Sequence, residues 1–185
     1  MVRDPRDVII SYFNMVAGLH HIPKRELSKL IDRFIDGSFR YYSNYFAHVR
    51  DWWRKWEEQT KAYESGKGEE PNILIMFYEK LLEDPKSNII RLAKFIDSEI
   101  GQIVESNDEL IEKIISKTSF KNLKSNHEAN LTKETEMFAG FFRKGIRGDY
   151  KKNMSREQDI AIQKLIRDEL GPPFTEIYGV ELFYD

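Results

Sequence analysis

Residues 141–150, FFRKGIRGDY, combine cations with glycines in a way that suits anion binding. With the two lysines that follow, the stretch carries five cations and a single acid. Glycine lets the backbone approach a ligand closely, exposed amides point at oxygen atoms, and Arg143 and Lys144 supply charge. A solvated surface turn fits the same residues, because basic glycine-containing loops are common false positives. The stretch alone leaves both interpretations open.

A second cationic segment, VRDPRDVIIS at residues 2–11, covers the predicted start of a helix. Arg3 precedes the start, Asp7 lies in the first turn where an acid is favoured, and Ser11 follows two turns after Arg3. Unpaired amides and the helix dipole favour negative charge at a helix amino terminus, so a flanking arginine suits a phosphate. A capped helix with surface arginines is the alternative, and the segment by itself favours that alternative.

Other residues that could bind phosphate, bind a metal or act in catalysis lack the neighbouring residues that such sites require. SGKG at 65–68 has a lysine among glycines, but it lacks the Ser or Thr that follows the lysine of a phosphate loop. The four histidines, His20, His21, His48 and His127, show neither metal-ligand spacing nor a catalytic motif. We therefore predict no metal site and assign no catalytic residue.

Composition favours one soluble globular domain in a reducing compartment. The chain has 185 residues, 41% hydrophobic and 32% charged, and no cysteine, which excludes disulfides and thiolate metal sites. The longest apolar run, ILIMF at 73–77, is too short to cross a bilayer, and no secretory signal is visible. A formal net charge of -2 argues against a general nucleic-acid coat. We expect a cytoplasmic protein that binds neither membrane nor nucleic acid.

Apolar periodicity predicts helices around the two cationic segments. Asp4 is a candidate cap and Pro5 suits the first helical position, so the first helix begins there. Apolar residues recur at three and four positions within 24–36 and 45–56, which predicts two helices that each bury one face. Residues 64–72, ESGKGEEPN, read as an exposed loop.

One strand is predicted, followed by a helix. NILIMFYE at 72–79 is a short apolar run of strand length, and the helix after it has Asp84 as its cap. Strand, turn and helix form the unit of a parallel α/β sheet. A lone parallel strand needs neighbours, so we expect the other strands of this sheet to be missing from the sequence.

Two later helices flank a long connection that contains the first cationic stretch. One is predicted near 108–116, and the last starts with the capping-box pair Ser155 and Gln158 and stops at Gly171. The connection between them, roughly 118–154, is too long for an idle linker in a compact domain. We therefore expect it to be functional.

Several segments together resemble one protein family. RDPRDVIISYF from residue 3, FYEKLLEDP at 77–85, KTSFKNLKSN at 117–126 and FFRKGIRGDYK at 141–151 follow the order and spacing of the cytosolic sulfotransferases, and NYFAHVRDWW at 44–53 is similar to a helix of that family. The resemblance implies an α/β, P-loop-NTPase-like sulfotransferase fold with a parallel sheet flanked by helices. Residues 1–185 would form a single partial domain, mostly helical with one or two strands.

The resemblance also implies a ligand, 3'-phosphoadenosine 5'-phosphosulfate (PAPS), from which the family transfers a sulfuryl group and leaves adenosine 3',5'-bisphosphate (PAP). The acceptor is a small phenol, alcohol or amine. By matching position, the implied 3'-phosphate site consists of Arg3, Ser11, Arg143, Lys144 and Gly145. The implied adenine pocket consists of Tyr78, Thr118 and Phe120, whose rings can stack on a base and whose hydroxyls can bond it.

Two family parts have no counterpart in the sequence, namely the phosphosulfate-binding loop and the histidine that acts as general base. We expect both to lie upstream of Met1, so the chain would be a fragment or truncated gene model that is inactive alone. A catalytically dead nucleotide-binding remnant and a helical protein-interaction module remain as alternatives. The family's dimer motif is poorly matched, because Lys151 is followed by Ser155, Arg156 and Ile160 at the corresponding places. A homodimer is therefore in doubt.

Overall fold

The computed structural model describes residues 1–39, 44–126 and 143–180, which are mostly helical. The helices in chain order are α1 (Pro5–His20), α2 (Leu27–Ile35), α3 (Tyr45–Glu64), α4 (Tyr78–Glu83), α5 (Pro85–Ile96), α6 (Ser98–Glu105), α7 (Asp108–Thr118), α8 (Phe120–Ser125), α9 (Arg156–Leu165) and α10 (Phe174–Ile177). Short 3-10 turns cover Lys24–Glu26 and Asp149–Lys152, and a π-helical turn covers Ile166–Leu170. No helix in these ranges is both long and apolar enough to span a membrane.

Helix α1 begins as its sequence predicts. The Asp4 side chain accepts a hydrogen bond from the amide of Arg6, which satisfies one of the donors that a helix start leaves unpaired. Pro5 occupies the first turn, where its missing amide costs nothing. The helix buries Ile9 and Ile10, so its amino terminus is fixed by packing as well as by its cap.

The main core lies where α1, α2, α3 and α9 meet. The predicted apolar face of α2 is confirmed, since Ile31 and Phe34 are buried. That of α3 is confirmed in part, because Val49 is buried but Trp52 is 46% exposed, and the buried Phe46 lies outside the predicted pattern. Trp53 of α3 continues the cluster against Phe174, with ring centroids 5.0 Å apart. The buried members are Ile9, Ile10, Ile31, Phe34, Phe46, Val49, Tyr150, Ile162, Ile166, Phe174, Tyr178 and Val180.

A smaller core joins α5, α6 and α7 through Ala93, Val104 and Ile111. Helices α5 and α7 confirm the prediction, and Asp84 caps α5 by accepting from the amide of Ser87. Helix α6 was missed, because it is one of the shorter helices and has a glycine at its centre. Its start is capped by Asp97, and the glycine lets it pack against Lys94 of α5.

The predicted strand at 72–79 is wrong. Among the described residues, β structure is limited to one isolated parallel bridge between Val2 and Phe77, in which Val2 donates to Met76 O at 2.7 Å and accepts from Tyr78 N at 2.8 Å. Residues 73–77 do bury Ile75, as the apolar run predicts, but its carbonyl accepts from the Arg91 side chain instead of a neighbouring strand. Tyr78 already begins α4, so the segment turns helical directly after the bridge at Phe77.

The last predicted helix is confirmed in detail. The Ser155 side chain accepts from the Gln158 amide while the Gln158 side chain accepts from the Ser155 amide, which is the reciprocal capping box that the sequence indicates. The π-helical turn that follows α9 ends at Gly171, where the sequence predicts the end of this helix. The connection predicted at 118–154 is described in part, and within it α8 and the 3-10 turn Asp149–Lys152 were not predicted.

Candidate functional site

The two cationic segments meet in the structure. We call residues 143–149 the cationic loop. Arg3 Nη2 donates a hydrogen bond of 3.0 Å to the carbonyl oxygen of Ile146, in the middle of that loop. The same guanidinium lies 4.6 Å above the ring of Tyr78, close enough for a cation–π contact. Arg3 therefore connects the start of α1, the cationic loop and the first residue of α4.

Asp7 fixes the cationic loop to α1. Its carboxylate accepts from the amide of Gly148 at 2.6 Å and from the amide of Tyr150 at 3.1 Å, and it lies 3.8 Å from Arg3 Nη2. Asp7 is only 2% exposed, so these bonds form away from water, where a charged acceptor is worth most. Asp7 was predicted only as an acid that interacts favourably with the helix dipole. In the structure it also joins two segments that are 141 residues apart in sequence.

Arg143 and Lys144 share one carboxylate, that of Asp149. Arg143 Nη2 and Lys144 Nζ each lie 2.5 Å from an Asp149 oxygen. Burial would raise the pKa of Asp149, but the hydrogen bonds from Lys144 and Arg143 outweigh burial and hold that pKa below its usual value. Arg143 and Lys144 are therefore arranged around an ionised acid.

Gly145 packs against Phe120, which brings a residue of the implied adenine pocket to the cationic loop. The backbone of Gly145 has φ of +63°, which non-glycine residues rarely adopt. A Cβ at this position would lie 2.2 Å from Cδ2 of Phe120. The ring and the loop backbone thus approach each other as closely as a glycine permits.

The structure does not bring every implied site residue into contact with these groups. Ser11 is exposed on α1, one turn beyond Asp7 and on the same helix face, and no described bond joins it to the cationic loop. Thr118 is the last residue of α7, and its exposed hydroxyl donates to the carbonyl of Ile114 at 2.8 Å. Thr118 is two residues before Phe120, but no described contact joins it to Tyr78.

Arg6 and Asp4 form a buried ion pair beneath the site. Arg6 is 1% exposed; its guanidinium bonds both carboxylate oxygens of Asp4, and it also donates to Asp159 and to the carbonyl of Tyr178. The same guanidinium lies 4.2 Å above the ring of Tyr150. This network joins the first turn of α1 to α9 and to the residue that follows the cationic loop.

A family model described as "Sulfotransferase domain" matches residues 1–172 of the chain. The chain belongs to the sulfotransferase family. This membership confirms the family that the four ordered motifs predicted. The helices described above therefore belong to a sulfotransferase fold.

Curated sulfotransferases are similar over most of this chain. Sulfotransferase 1B1 of Canis lupus familiaris is 31% identical over 178 residues, which cover 92% of this chain and 53% of the relative. Sulfotransferase 1E1 of Homo sapiens is 31% identical, with 84% and 48% covered, and Sulfotransferase 1 family member D1 of Rattus norvegicus is 32% identical, with 85% and 49% covered. The chain thus spans about half the length of the curated relatives it matches.

The sequence analysis missed the role of two carboxylates, those of Asp7 and Asp149. Both are buried acids that hold the cationic loop, and neither matches a role that the family resemblance implied. A signal for Asp149 was present, because it is the single acid within a run of five cations. The role of Asp7 had no local signal, since its partners are distant in sequence.

The structure describes three of the four histidines. His20, His21 and His48 are exposed, and His127 lies outside the described residues. Within the same ranges, no cluster of three or more histidine or acidic side chains is arranged to hold a metal ion. The groups described around the cationic loop are cations, carboxylates and aromatic rings.

We predict that Glu79→Gln makes the protein more stable at neutral pH. Glu79 is 4% exposed; its Oε1 accepts from the Asp4 amide at 2.9 Å, while Oε2 is buried without a partner among the residues described. Burial raises the pKa of Glu79 above its usual value. Because the folded state holds the proton of the Glu79 carboxyl more tightly than the unfolded state does, the protein loses stability as pH rises from about 4.3, the unfolded pKa, through the folded pKa.

Thermal unfolding at a series of pH values measures this effect. The wild type should lose stability relative to Glu79→Gln as the pH rises, because glutamine keeps the acceptor oxygen and carries no charge. Glu83→Gln, which removes an exposed carboxylate one turn later in α4, serves as the control and should bring no gain at neutral pH. A gap between wild type and Glu79→Gln that stays constant with pH would contradict the prediction.

Proposed function

We propose that this chain binds the 3'-phosphoadenosine part of PAPS, and that the protein it represents transfers a sulfuryl group to a small phenol, alcohol or amine. The observation that carries the proposal is the contact between Arg3 and the carbonyl of Ile146, because it joins the two cationic segments that the family motifs assign to one phosphate. Family membership supports PAPS as the donor.

The described groups fit a phosphate at the junction of α1 and the cationic loop. Arg3 Nε is buried and has no hydrogen-bond partner in the described ranges, so this side chain has a donor to spare. Arg143 and Lys144 lie on the same loop as the Ile146 carbonyl that binds Arg3. We assign Arg3, Ser11, Arg143, Lys144 and Gly145 to the 3'-phosphate, with the glycine allowing close approach of the backbone.

The adenine would lie between residues that already contact the phosphate-binding groups. Tyr78 contacts Arg3 and Phe120 contacts Gly145, so each aromatic ring lies next to a residue that we assign to the phosphate. Aromatic faces suit stacking on a purine, and the hydroxyl of Thr118 can exchange its bond to Ile114 for one to the base. We assign Tyr78, Thr118 and Phe120 to the base.

In this proposal the chain binds and orients the donor, and the described residues supply no general base. When bound, PAPS supplies the sulfuryl group that an acceptor hydroxyl or amine receives. Arg3, Arg143 and Lys144 would fix the nucleotide end by charge, which sets the direction in which the reacting end points. We assign no catalytic residue to this chain and predict no turnover of PAPS by it alone, and we propose a cytoplasmic location.

Calorimetric titration with PAP and with AMP tests the proposal. PAP should bind more tightly, because it carries the 3'-phosphate that the cationic loop and Arg3 are proposed to hold. Equal affinity for the two nucleotides, or no binding of either, would contradict nucleotide recognition through this phosphate. Radiolabelled PAPS with a phenolic acceptor should give no sulfated product, and turnover would overturn the assignment of no catalytic group.

Single substitutions in the cationic loop give a quantitative prediction. Arg143→Ala or Lys144→Ala should each weaken PAP binding by about 1–3 kcal/mol, the range for a hydrogen bond to a charged group, with AMP affected less. Arg147→Ala is the matched control, because Arg147 is an exposed cation of the same loop that pairs with Glu83. A loss for Arg147→Ala as large as for Lys144→Ala would indicate general electrostatic attraction instead of a specific site.

A further inference from the structure

Asp149 is the group that holds two cations of the loop, Arg143 and Lys144. Its side chain is 3% exposed, while the side chains of Arg143 and Lys144 are 29% and 44% exposed. Arg143 bonds one carboxylate oxygen and Lys144 bonds the other, each at 2.5 Å. The acid therefore lies on the inner side of the pair, and the two cations extend from it towards solvent.

Each cation keeps donors that its bond to Asp149 does not require. A lysine ammonium has three N–H donors and an arginine guanidinium has five, so one bond to the acid leaves others for an anion on the solvent side. The three side chains together carry one net positive charge, which still favours an anion. A shared buried acid can thus hold two long, flexible side chains in place without neutralising both.

The backbone around Asp149 is fixed on both sides. The amides of Gly148 and Tyr150, the residues before and after it, donate to Asp7 of α1. The carbonyl of Asp149 itself accepts from the side chain of Asn153 at 2.8 Å. The backbone of Asp149 is therefore bonded to α1 on both sides, and its carboxylate in turn bonds Arg143 and Lys144.

We infer that Asp149 is a positioning residue for 3'-phosphate recognition, which keeps its bonds to Arg143 and Lys144 while those side chains bind the phosphate. This inference rests on the proposed function. The opposite role is competition, in which Asp149 occupies the cations and must release them before the phosphate can bind. The two roles predict opposite effects of removing the carboxylate.

Asp149→Asn tests the inference through the ratio of PAP affinity to AMP affinity. Positioning predicts that the ratio falls roughly tenfold, since one charge-assisted contact to the phosphate is lost while the adenine pocket is unchanged. A loss of structure would lower both affinities together and would not change their ratio in this way. Glu83→Gln is the control, because it frees Arg147, the other loop cation with a described acidic partner, and it should leave the ratio unchanged.

A second measurement on the wild-type chain covers the case in which Asp149→Asn fails to fold. A crystal structure with PAP should show Arg143 and Lys144 bonded to Asp149 and to the 3'-phosphate at once. An unchanged or increased PAP-to-AMP ratio in Asp149→Asn, or cations turned away from Asp149 in the complex, would overturn the inference. A wild type that does not prefer PAP to AMP would instead overturn the proposed function.

Discussion

Replacing Arg6 with methionine should lower the free energy of unfolding by about 3–5 kcal/mol, the range for breaking a buried ion pair from one side. The loss is large because Asp4 would remain buried with most of its charge unpaired. Arg6 also bonds Asp159 and the Tyr178 carbonyl, so the substitution releases α9 and the segment after α10 from the start of α1. Urea unfolding followed by circular dichroism measures the change.

Two comparisons separate this mechanism from a general loss of charge. Arg50→Met breaks the ion pair between Arg50 and Glu169, whose side chains are 50% and 40% exposed. This substitution should lower the free energy of unfolding by no more than about 1 kcal/mol. Adding Asp4→Asn to Arg6→Met should recover part of the loss, because asparagine also caps helices but leaves no buried charge. An Arg6→Met loss as small as that of Arg50→Met would contradict the assigned role of the buried pair.

Gly145→Ala should lower the free energy of unfolding by about 2–4 kcal/mol, combining the cost of a left-handed backbone with that of overpacking. The new Cβ would lie 2.2 Å from the Phe120 ring, so the ring or the cationic loop must move. Either movement also displaces groups assigned to the nucleotide. Thermal unfolding and PAP titration on the same variant measure both effects.

Gly37→Ala is the matched control for the backbone cost. Gly37 has φ of +75°, but a Cβ there meets no atom within 4 Å, so only the cost of the left-handed backbone, about 1–2 kcal/mol, is expected. Adding Phe120→Ala to Gly145→Ala should restore part of the lost stability by removing the clash. Equal losses for the two glycines would contradict the close packing of Phe120 on the cationic loop.

Helix starts could be predicted from this sequence because their determinants are local. Asp4, Asp84 and Ser155 each cap a helix through a residue two or three positions away. The strand prediction at 72–79 failed because the determinants of a strand are not local. A strand depends on hydrogen-bond partners elsewhere in the chain. The described residues offer Phe77 one bridge partner, Val2, and the Ile75 carbonyl is satisfied by Arg91.

The candidate site was predictable in its cations but not in the acids that hold them. The motifs and the charge pattern identified Arg3 and Lys144 as candidate site residues. Asp7 was predicted only as an ordinary acid in the first turn of a helix. Its partners, the amides of Gly148 and Tyr150, are more than 140 residues away, so no window of sequence contains the interaction. Buried acids that receive distant amides become visible only when the chain is folded.

A double-substitution cycle of Arg3→Met and Lys144→Met tests most directly whether the two cationic segments bind one phosphate. The quantity to measure is the PAP-to-AMP affinity ratio of the wild type, the two single variants and the double variant by calorimetry. Groups on a shared phosphate should show a coupling free energy of about 0.5–3 kcal/mol, and each single variant should reduce the ratio. Independent, additive effects on the ratio, or a ratio that neither substitution changes, would contradict a common phosphate site.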